Sequence, residues 1–322
     1  MKAWTRSLSQ QFRSRYPAIA STLVLRTQVP VNNETKSPHL FCFGLGYSAQ
    51  VIARNLLAQG WLVSGTCRDP AKADSLRHSG ITTYLFNAGQ GLTDPADCLR
   101  GVTHLLSSIP PDESGDPAIP LHGDALGEAL QNSAVRWIGY LSTIGVYGDQ
   151  QGRWIDEECP TSPISEPGER RVLAEKQWLD LGRRHGVPAH LFRLPGIYGP
   201  NGRSQFDALR KGHARRIVKP GQVFNRVHVY DLARVVIASM HKPGGSPVYN
   251  VTDNEPAPAH EVVAYAAELL GVDPPPEVAF DDAELSPFAA HFYAECKRVR
   301  NDRIKQELGV DLQFPTYRQG LA

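Results

Sequence analysis

From residue 41 the chain reads Phe41-Cys42-Phe43-Gly44-Leu45-Gly46-Tyr47-Ser48-Ala49. An apolar run ends on glycine, a second glycine follows two residues later, and an amphipathic pattern begins at once. Val51, Ile52, Leu56 and Leu57 recur with helical spacing, which stops at Gly60. A strand that feeds a helix through G-x-G-x-x-A has few structural solutions. Gly44 permits a tight turn, Gly46 lets a bound group approach the backbone, and the small Ala49 lets helix and strand pack closely. The free N–H groups and the positive dipole end of helix 47–59 then face an anion. At the head of a strand–helix–strand series, this spacing marks a dinucleotide-binding turn. Gly44, Gly46, Tyr47, Ser48 and Ala49 are therefore expected at a dinucleotide pyrophosphate.

The alternation continues as far as residue 194. Strands are expected at 40–43, 61–67, 82–86, 103–109, 135–141 and 188–194, and helices at 47–59, 71–78, 121–131 and 169–185. Pro110-Pro111 stops the fourth strand, because proline has no N–H for the ladder. Apolar strands between helices predict a parallel sheet covered on both faces. The fold class is thus α/β, a Rossmann-type doubly wound parallel sheet with a smaller C-terminal α/β lobe. After Pro195 glycine and proline become frequent and the alternation breaks. Strands at 227–230 and 248–251, helices at 232–241 and 260–270 and a rigid turn at 273–276 make up the lobe, with some elements returning to the sheet. The expected organisation is an NAD(P)-binding domain over 38–194 and a substrate lobe over 195–322. Residues 1–37 are set aside. They carry Lys2, Arg6, Arg13, Arg15, Arg26 and Lys36 against a single acid, Glu34. A disordered basic extension, an upstream start codon and an organelle transit peptide all fit that composition.

Composition excludes several classes. The 34 basic and 33 acidic residues give a net charge of +1, leaving no electrostatic footprint for nucleic acid or an anionic membrane. No apolar run approaches the ~20 residues that span a bilayer. The five cysteines are scattered without a C-x-x-C pair, and the 11 histidines include no H-E-x-x-H. No metal is expected, and a reducing, cytoplasmic setting fits, with an organelle as the alternative if the basic extension is a transit peptide. The expected partner is a small-molecule substrate, and the expected state is a monomer or homodimer.

The residue that ends the second strand discriminates between the two nicotinamide dinucleotides. An acid there bonds the ribose 2′-hydroxyl, whereas an arginine holds a 2′-phosphate. The sequence is Gly65-Thr66-Cys67-Arg68-Asp69-Pro70, with Lys72 close behind. The planar fork of Arg68 suits a phosphate and predicts NADP, while Asp69 beside it keeps NAD open. Ser108, at the end of the fourth strand, is also placed at the cofactor.

These segments resemble the extended short-chain dehydrogenase/reductase family, which includes the sugar-nucleotide epimerases and dehydratases. Besides the glycine turn, the resemblance rests on Leu141-Ser142-Thr143-Ile144-Gly145-Val146-Tyr147-Gly148, on Arg193-Leu194-Pro195-Gly196-Ile197-Tyr198-Gly199-Pro200 and on His228-Val229-Tyr230-Asp231-Leu232-Ala233. It implies that Thr143, preceded by Ser142, presents a catalytic hydroxyl beside the nicotinamide. It also implies that Pro195, Gly196 and Ile197 line the nicotinamide pocket. The pattern breaks where the family carries Y-x-x-x-K. The helix reads Pro167-Gly168-Glu169-Arg170-Arg171, so Pro167 takes the tyrosine's place and Arg171 the lysine's. Proline cannot transfer a proton, and Arg171, a candidate ribose contact, stays protonated at any working pH.

Other groups that could move a proton are Tyr147, Tyr198, Asp156, Glu157, Glu158 and His228. The catalytic candidates are thus Thr143, Ser142 and Tyr147. Arg203, Arg210, Arg215, Arg216 and Arg226 are either a clamp for a substrate diphosphate or a solvated basic face. Two functions follow. One is an NADP-dependent oxidoreductase or epimerase/dehydratase-like enzyme acting on a small polar substrate, sugar nucleotides included. The other is a non-catalytic NAD(P)-binding sensor or interaction protein.

Overall fold

Leu40, Phe41, Cys42 and Phe43 are all fully buried because β1 (His39–Phe43) runs through the middle of a seven-stranded sheet. The computed structural model describes residues 37–87, 89–132, 135–201 and 203–322; the basic stretch 1–36 lies outside them. After β1 come α1 (Tyr47–Ala58), β2 (Leu62–Cys67), α2 (Pro70–His78), β3 (Thr82–Leu85) and β4 (His104–Ser107). Then follow α3 (Ala118–Asn132), β5 (Trp137–Thr143), α4 (Glu166–His185), β6 (Ala189–Leu194), α5 (Val229–Met240), β7 (Val248–Asn250) and α6 (Ala259–Leu270). The sheet order is β7-β6-β5-β4-β1-β2-β3, and every pairing is parallel.

The strands bury both faces. On one side Ile52 and Leu56 of α1, Leu76 of α2 and Val235 and Val236 of α5 join a single core cluster. On the other, Leu126 and Leu130 of α3 meet Ala174, Trp178 and Leu181 of α4. The strand order reverses between β1 and β4, which leaves a crevice at their carboxyl ends, the usual ligand position in such sheets. β7 comes from beyond residue 195 and pairs with β6, so part of the later chain completes the sheet.

Most boundaries shift by one to three residues from the sequence expectation, and two of the shifts have a clear local cause. Helix α4 begins at Glu166, three residues earlier than expected. Ser165 accepts from the Gly168 N–H at 3.3 Å as N-cap, and Pro167 lies in the first turn, where its missing N–H costs nothing. The strand expected at 227–230 is Arg226–His228, and it ends at its last residue because the His228 ring accepts from the Tyr230 N–H at 3.3 Å and opens α5. Arg226–His228 pairs with Gly196–Tyr198, and Arg298–Val299 pairs with Trp154–Ile155. Among the described residues no helix is long and apolar enough to cross a membrane.

Candidate cofactor cleft and reaction site

Gly44 sits at φ +87°, and a Cβ there would lie 2.6 Å from Ile109 Cγ2, so only glycine closes the turn against β4. Two hydroxyls brace the turn. Thr66 Oγ1 accepts from the Gly44 N–H at 2.8 Å, and Ser108 Oγ donates to the Gly44 carbonyl at 2.7 Å. Gly46 is the N-cap of α1, and a Cβ on it would meet only Ser108 Oγ, at 4.0 Å. The helix has no side-chain cap and no acid in its first turn, and its first intrahelical bond runs from Gln50 N to Gly46 O. The N–H groups of Tyr47, Ser48 and Ala49 precede that bond at an open, electropositive end. Ser48 and Ala49 turn their own side chains inward, 8% and 1% exposed. This donor set fits a dinucleotide pyrophosphate.

At the end of β2 the roles of Arg68 and Asp69 separate. The Asp69 carboxylate is the N-cap of α2 and accepts from the Ala71 and Lys72 N–H groups at 2.9 and 3.3 Å. Arg68 is exposed. Both bonds fall on Oδ1, which fixes the carboxylate as a helix cap and leaves Oδ2 outside them, so Arg68 and Asp69 both stay in play at the end of β2.

The segment after β6 folds over the start of α1. The Tyr47 hydroxyl donates to the Pro200 carbonyl at 2.8 Å, and the Arg203 guanidinium lies 4.8 Å from the Tyr47 ring centroid. Gly199 is where the two segments touch, since a Cβ there would stand 2.9 Å from the Tyr47 hydroxyl. Pro195 and Ile197 are half-buried and Gly196 is exposed, on the strand that leads into this contact.

The end of β5 does not bring all three catalytic candidates to the surface of the cleft. Ser142 is 5% exposed and donates to Glu175 Oε1 at 2.5 Å. Glu175 also holds Arg193 through two bonds, Nε–Oε1 at 3.1 Å and Nη2–Oε2 at 2.8 Å, with both side chains buried. Tyr147 is 0% exposed, donates to Asn250 Oδ1 at 2.8 Å and packs under the Arg193 guanidinium; burial pushes its phenol up to about 12. Ser142 and Tyr147 therefore belong to an interior network, and the expectation that they act on substrate is corrected by their burial. Thr143 remains half-buried, and its Oγ1 accepts from the Gly145 N–H at 3.1 Å, leaving the hydroxyl proton for another acceptor. Arg171 approaches β5 from α4, where its Nη1 donates to the Leu141 carbonyl at 2.6 Å and to the Tyr140 hydroxyl at 3.2 Å.

The other candidates are occupied elsewhere. His228 caps α5, and burial lowers its ring to about 4, so it stays neutral. Glu157 accepts from the Asn250 N–H at 2.8 Å, Glu158 pairs with Arg303, and the exposed Asp156 accepts from the Glu158 N–H. The Tyr198 hydroxyl donates to the Thr316 carbonyl at 3.4 Å. The five lobe arginines do not converge. Arg203 stacks on Tyr47, Arg210 lies near Asp207, and Arg215 bonds the Glu284 carbonyl. Arg216 pairs with Glu277, and the inner Arg226 serves the Phe224 and Ala257 carbonyls.

Two features had no signal in the sequence. Asp253 follows β7 and is 2% exposed; its Oδ1 accepts from the Glu255 N–H at 3.1 Å and its Oδ2 has no partner. Burial, only partly offset by that bond and by Arg226, lifts its carboxyl to about 7. Lys297, 4% exposed, reaches the Ile144 carbonyl with its Nζ at 3.4 Å. Among the described residues no cluster of three or more His, Cys, Asp or Glu side chains could hold a metal ion.

Comparison with known proteins adds an independent finding. A family model described as the NAD dependent epimerase/dehydratase family matches residues 121–252. Protein YeeZ of Escherichia coli (strain K12) is 30% identical over 284 residues, covering 84% of this chain and 94% of its own. A 3-diazoavenalumate denitrifying reductase of Streptomyces sp. is 31% identical over 286 residues, covering 83% and 93%. The solved structure of a functionally unknown conserved protein from Silicibacter pomeroyi DSS is 49% identical, covers 88% of this chain and 97% of its own, and superposes with a TM-score of 0.78.

Proposed function

Because the chain belongs to the NAD dependent epimerase/dehydratase family, we propose that it is an NADP-dependent enzyme performing oxidoreductase or epimerase/dehydratase-like chemistry on a small polar substrate. The observation that carries this reading is the divided labour at the end of β2. Asp69 is held as a helix cap through Oδ1, and in this reading the exposed Arg68 beside it meets the adenosine ribose. A guanidinium there favours a 2′-phosphate over a bare 2′-hydroxyl.

The residues divide into plain roles. The open backbone at Gly46 and the first turn of α1 bind the pyrophosphate, Ser108 and Thr66 keep the turn in shape, and Pro195, Gly196 and Ile197 face the nicotinamide end. Arg171 holds the end of β5 in place and, through its remaining N–H groups, faces the nicotinamide ribose. Thr143 donates a hydrogen bond to the reacting oxygen. The cofactor, when bound, supplies hydride chemistry. A compact polar substrate is favoured over a sugar nucleotide, because the lobe arginines are each engaged within the protein and form no diphosphate clamp.

Titration calorimetry of NADPH and NADH against the wild type and Arg68→Ala tests the assignment. We expect the variant to lose at least about tenfold in NADPH affinity and little in NADH affinity. Equal behaviour toward both dinucleotides would remove the 2′-phosphate role. A second reading, a non-catalytic NAD(P)-binding sensor, draws on Pro167 and on the withdrawal of Ser142 and Tyr147 into the interior. Cofactor binding without turnover across a broad panel of aldehydes, ketones and alcohols would favour it.

A further inference from the structure

With Pro167 in the tyrosine's place, the helix side of the reaction site has no hydroxyl there to meet the reacting oxygen, and Arg171 donates to the Leu141 carbonyl and Tyr140. A second cation reaches the same loop from the opposite side. Lys297 precedes the strand Arg298–Val299, and the backbone of 296–299 around it is pinned in three places, once at Lys297 itself. Asn225 Nδ2 donates to the Lys297 carbonyl at 3.0 Å, and Asn225 Oδ1 accepts from the Val299 N–H at 2.9 Å. Asp149, at the end of the β5 loop, accepts from the Cys296 N–H at 2.8 Å. From that anchor the side chain, 5% exposed, pairs with Glu295 and donates to the Ile144 carbonyl at 3.4 Å. An ammonium carries three donors, and these two contacts use two of them. Ile144 directly follows Thr143, so the ammonium stands against the backbone of the loop that carries the hydroxyl expected to face substrate.

Burying a lysine costs hydration and the freedom of a long side chain. The chain nevertheless holds it beside the half-buried Thr143–Gly145 loop. We propose that Lys297 is the cationic donor of the reaction site and binds the carbonyl or hydroxyl oxygen of a substrate held beside Thr143, with Glu295 fixing its direction. The inference rests on the enzymatic reading above. It assigns a substrate class: an aldehyde, a ketone or the corresponding alcohol, whose oxygen gains negative charge as its carbon is reduced. No proton leaves the ammonium in this role; the preorganised N–H stabilises the developing charge, the hydride comes from NADPH, and the alkoxide takes its proton from water.

The test uses the full chain saturated with NADPH. Removing one preorganised donor typically lowers turnover by ~10²–10³. We therefore expect Lys297→Met to lower kcat/KM on the carbonyl panel by that factor, mainly through kcat. NADPH affinity should stay within twofold, and Lys297→Arg should recover at least about a tenth of wild-type turnover, since it restores a charged donor. Lys297→Met turning over within threefold of wild type would overturn the assignment. A readout independent of turnover is trace acetylation of the folded wild-type chain with acetic anhydride. Modification of Lys297 in the native protein, suppressed by a panel ketone, supports a donor open to the cleft. Modification only after unfolding makes it a structural staple and overturns the proposal. If wild type reduces nothing on the panel, the enzymatic reading fails, and the labelling result alone decides the fate of Lys297.

Discussion

Asp253 offers a quantitative handle on how the lobe is held. Its carboxyl moves from an ordinary 3.8 to about 7 because it is buried with one oxygen unpartnered. A raised carboxyl favours the protonated form in the folded chain. Its stability contribution is therefore fully present below about pH 4, where both states are protonated, and is lost as pH rises through 7. A shift of roughly 3 units corresponds to an upper bound of about 4 kcal/mol, and solvent penetration brings the expected loss to about 2–4 kcal/mol. His104 and His228, which burial lowers to about 3 and about 4, act in the opposite sense, stabilising above their unfolded value and losing that contribution as pH falls. Comparing wild type with Asp253→Asn at each pH cancels them. In urea unfolding followed by the fluorescence of the buried Trp137 and Trp178, the variant should match wild type near pH 4 and exceed it by about 2–4 kcal/mol at pH 8. A difference that stays constant between pH 4 and pH 8 would refute the reasoning.

Asp69→Ala should cost ~1 kcal/mol through loss of the α2 cap, read as a lower urea midpoint, while leaving the ratio of NADPH to NADH affinity unchanged. A changed ratio would put Asp69 on the ribose instead. Glu175→Gln leaves Arg193 as a buried, uncompensated charge and should destabilise by ~3–5 kcal/mol in the same assay, whereas a loss below about 0.5 kcal/mol would show that the pair is not load-sharing.

The sheet was legible from the sequence because each of its central strands is a contiguous apolar run followed by a helix with its own period. The glycine turn was legible because the backbone that binds lies within residues 43–49, whereas its braces, Thr66 and Ser108, come from other strands. The lobe was harder. Whether residues 227–230 continue a strand depends on a histidine ring turning back to the Tyr230 N–H, which no apolar pattern records. The reaction site was harder still. Ser142 and Tyr147 carry the hydroxyls that catalysis uses, but their fate depends on Glu175 and Asn250, which lie 33 and 103 residues away. Lys297 sits in an ordinary basic stretch, Lys297-Arg298-Val299-Arg300, and only the fold brings it to Ile144, 153 residues earlier. Motif reading finds residues whose partners are neighbours in sequence. It misses those whose role is conferred by a distant segment.

The bond from Tyr47 to the Pro200 carbonyl has a mechanical meaning. Tyr47 opens the helix whose first turn faces the phosphates, and Pro200 ends the stretch that borders the nicotinamide end. The two ends of an extended dinucleotide are thus framed by segments that are tied to each other rather than to a common third part. On the proposed reading, a shift in the first turn of α1 as it grips an anion would pass through this bond to the segment that ends at Pro200. The shape of the substrate pocket and the occupancy of the phosphate turn then behave as a single variable, so substrate affinity should be read only with the dinucleotide in place.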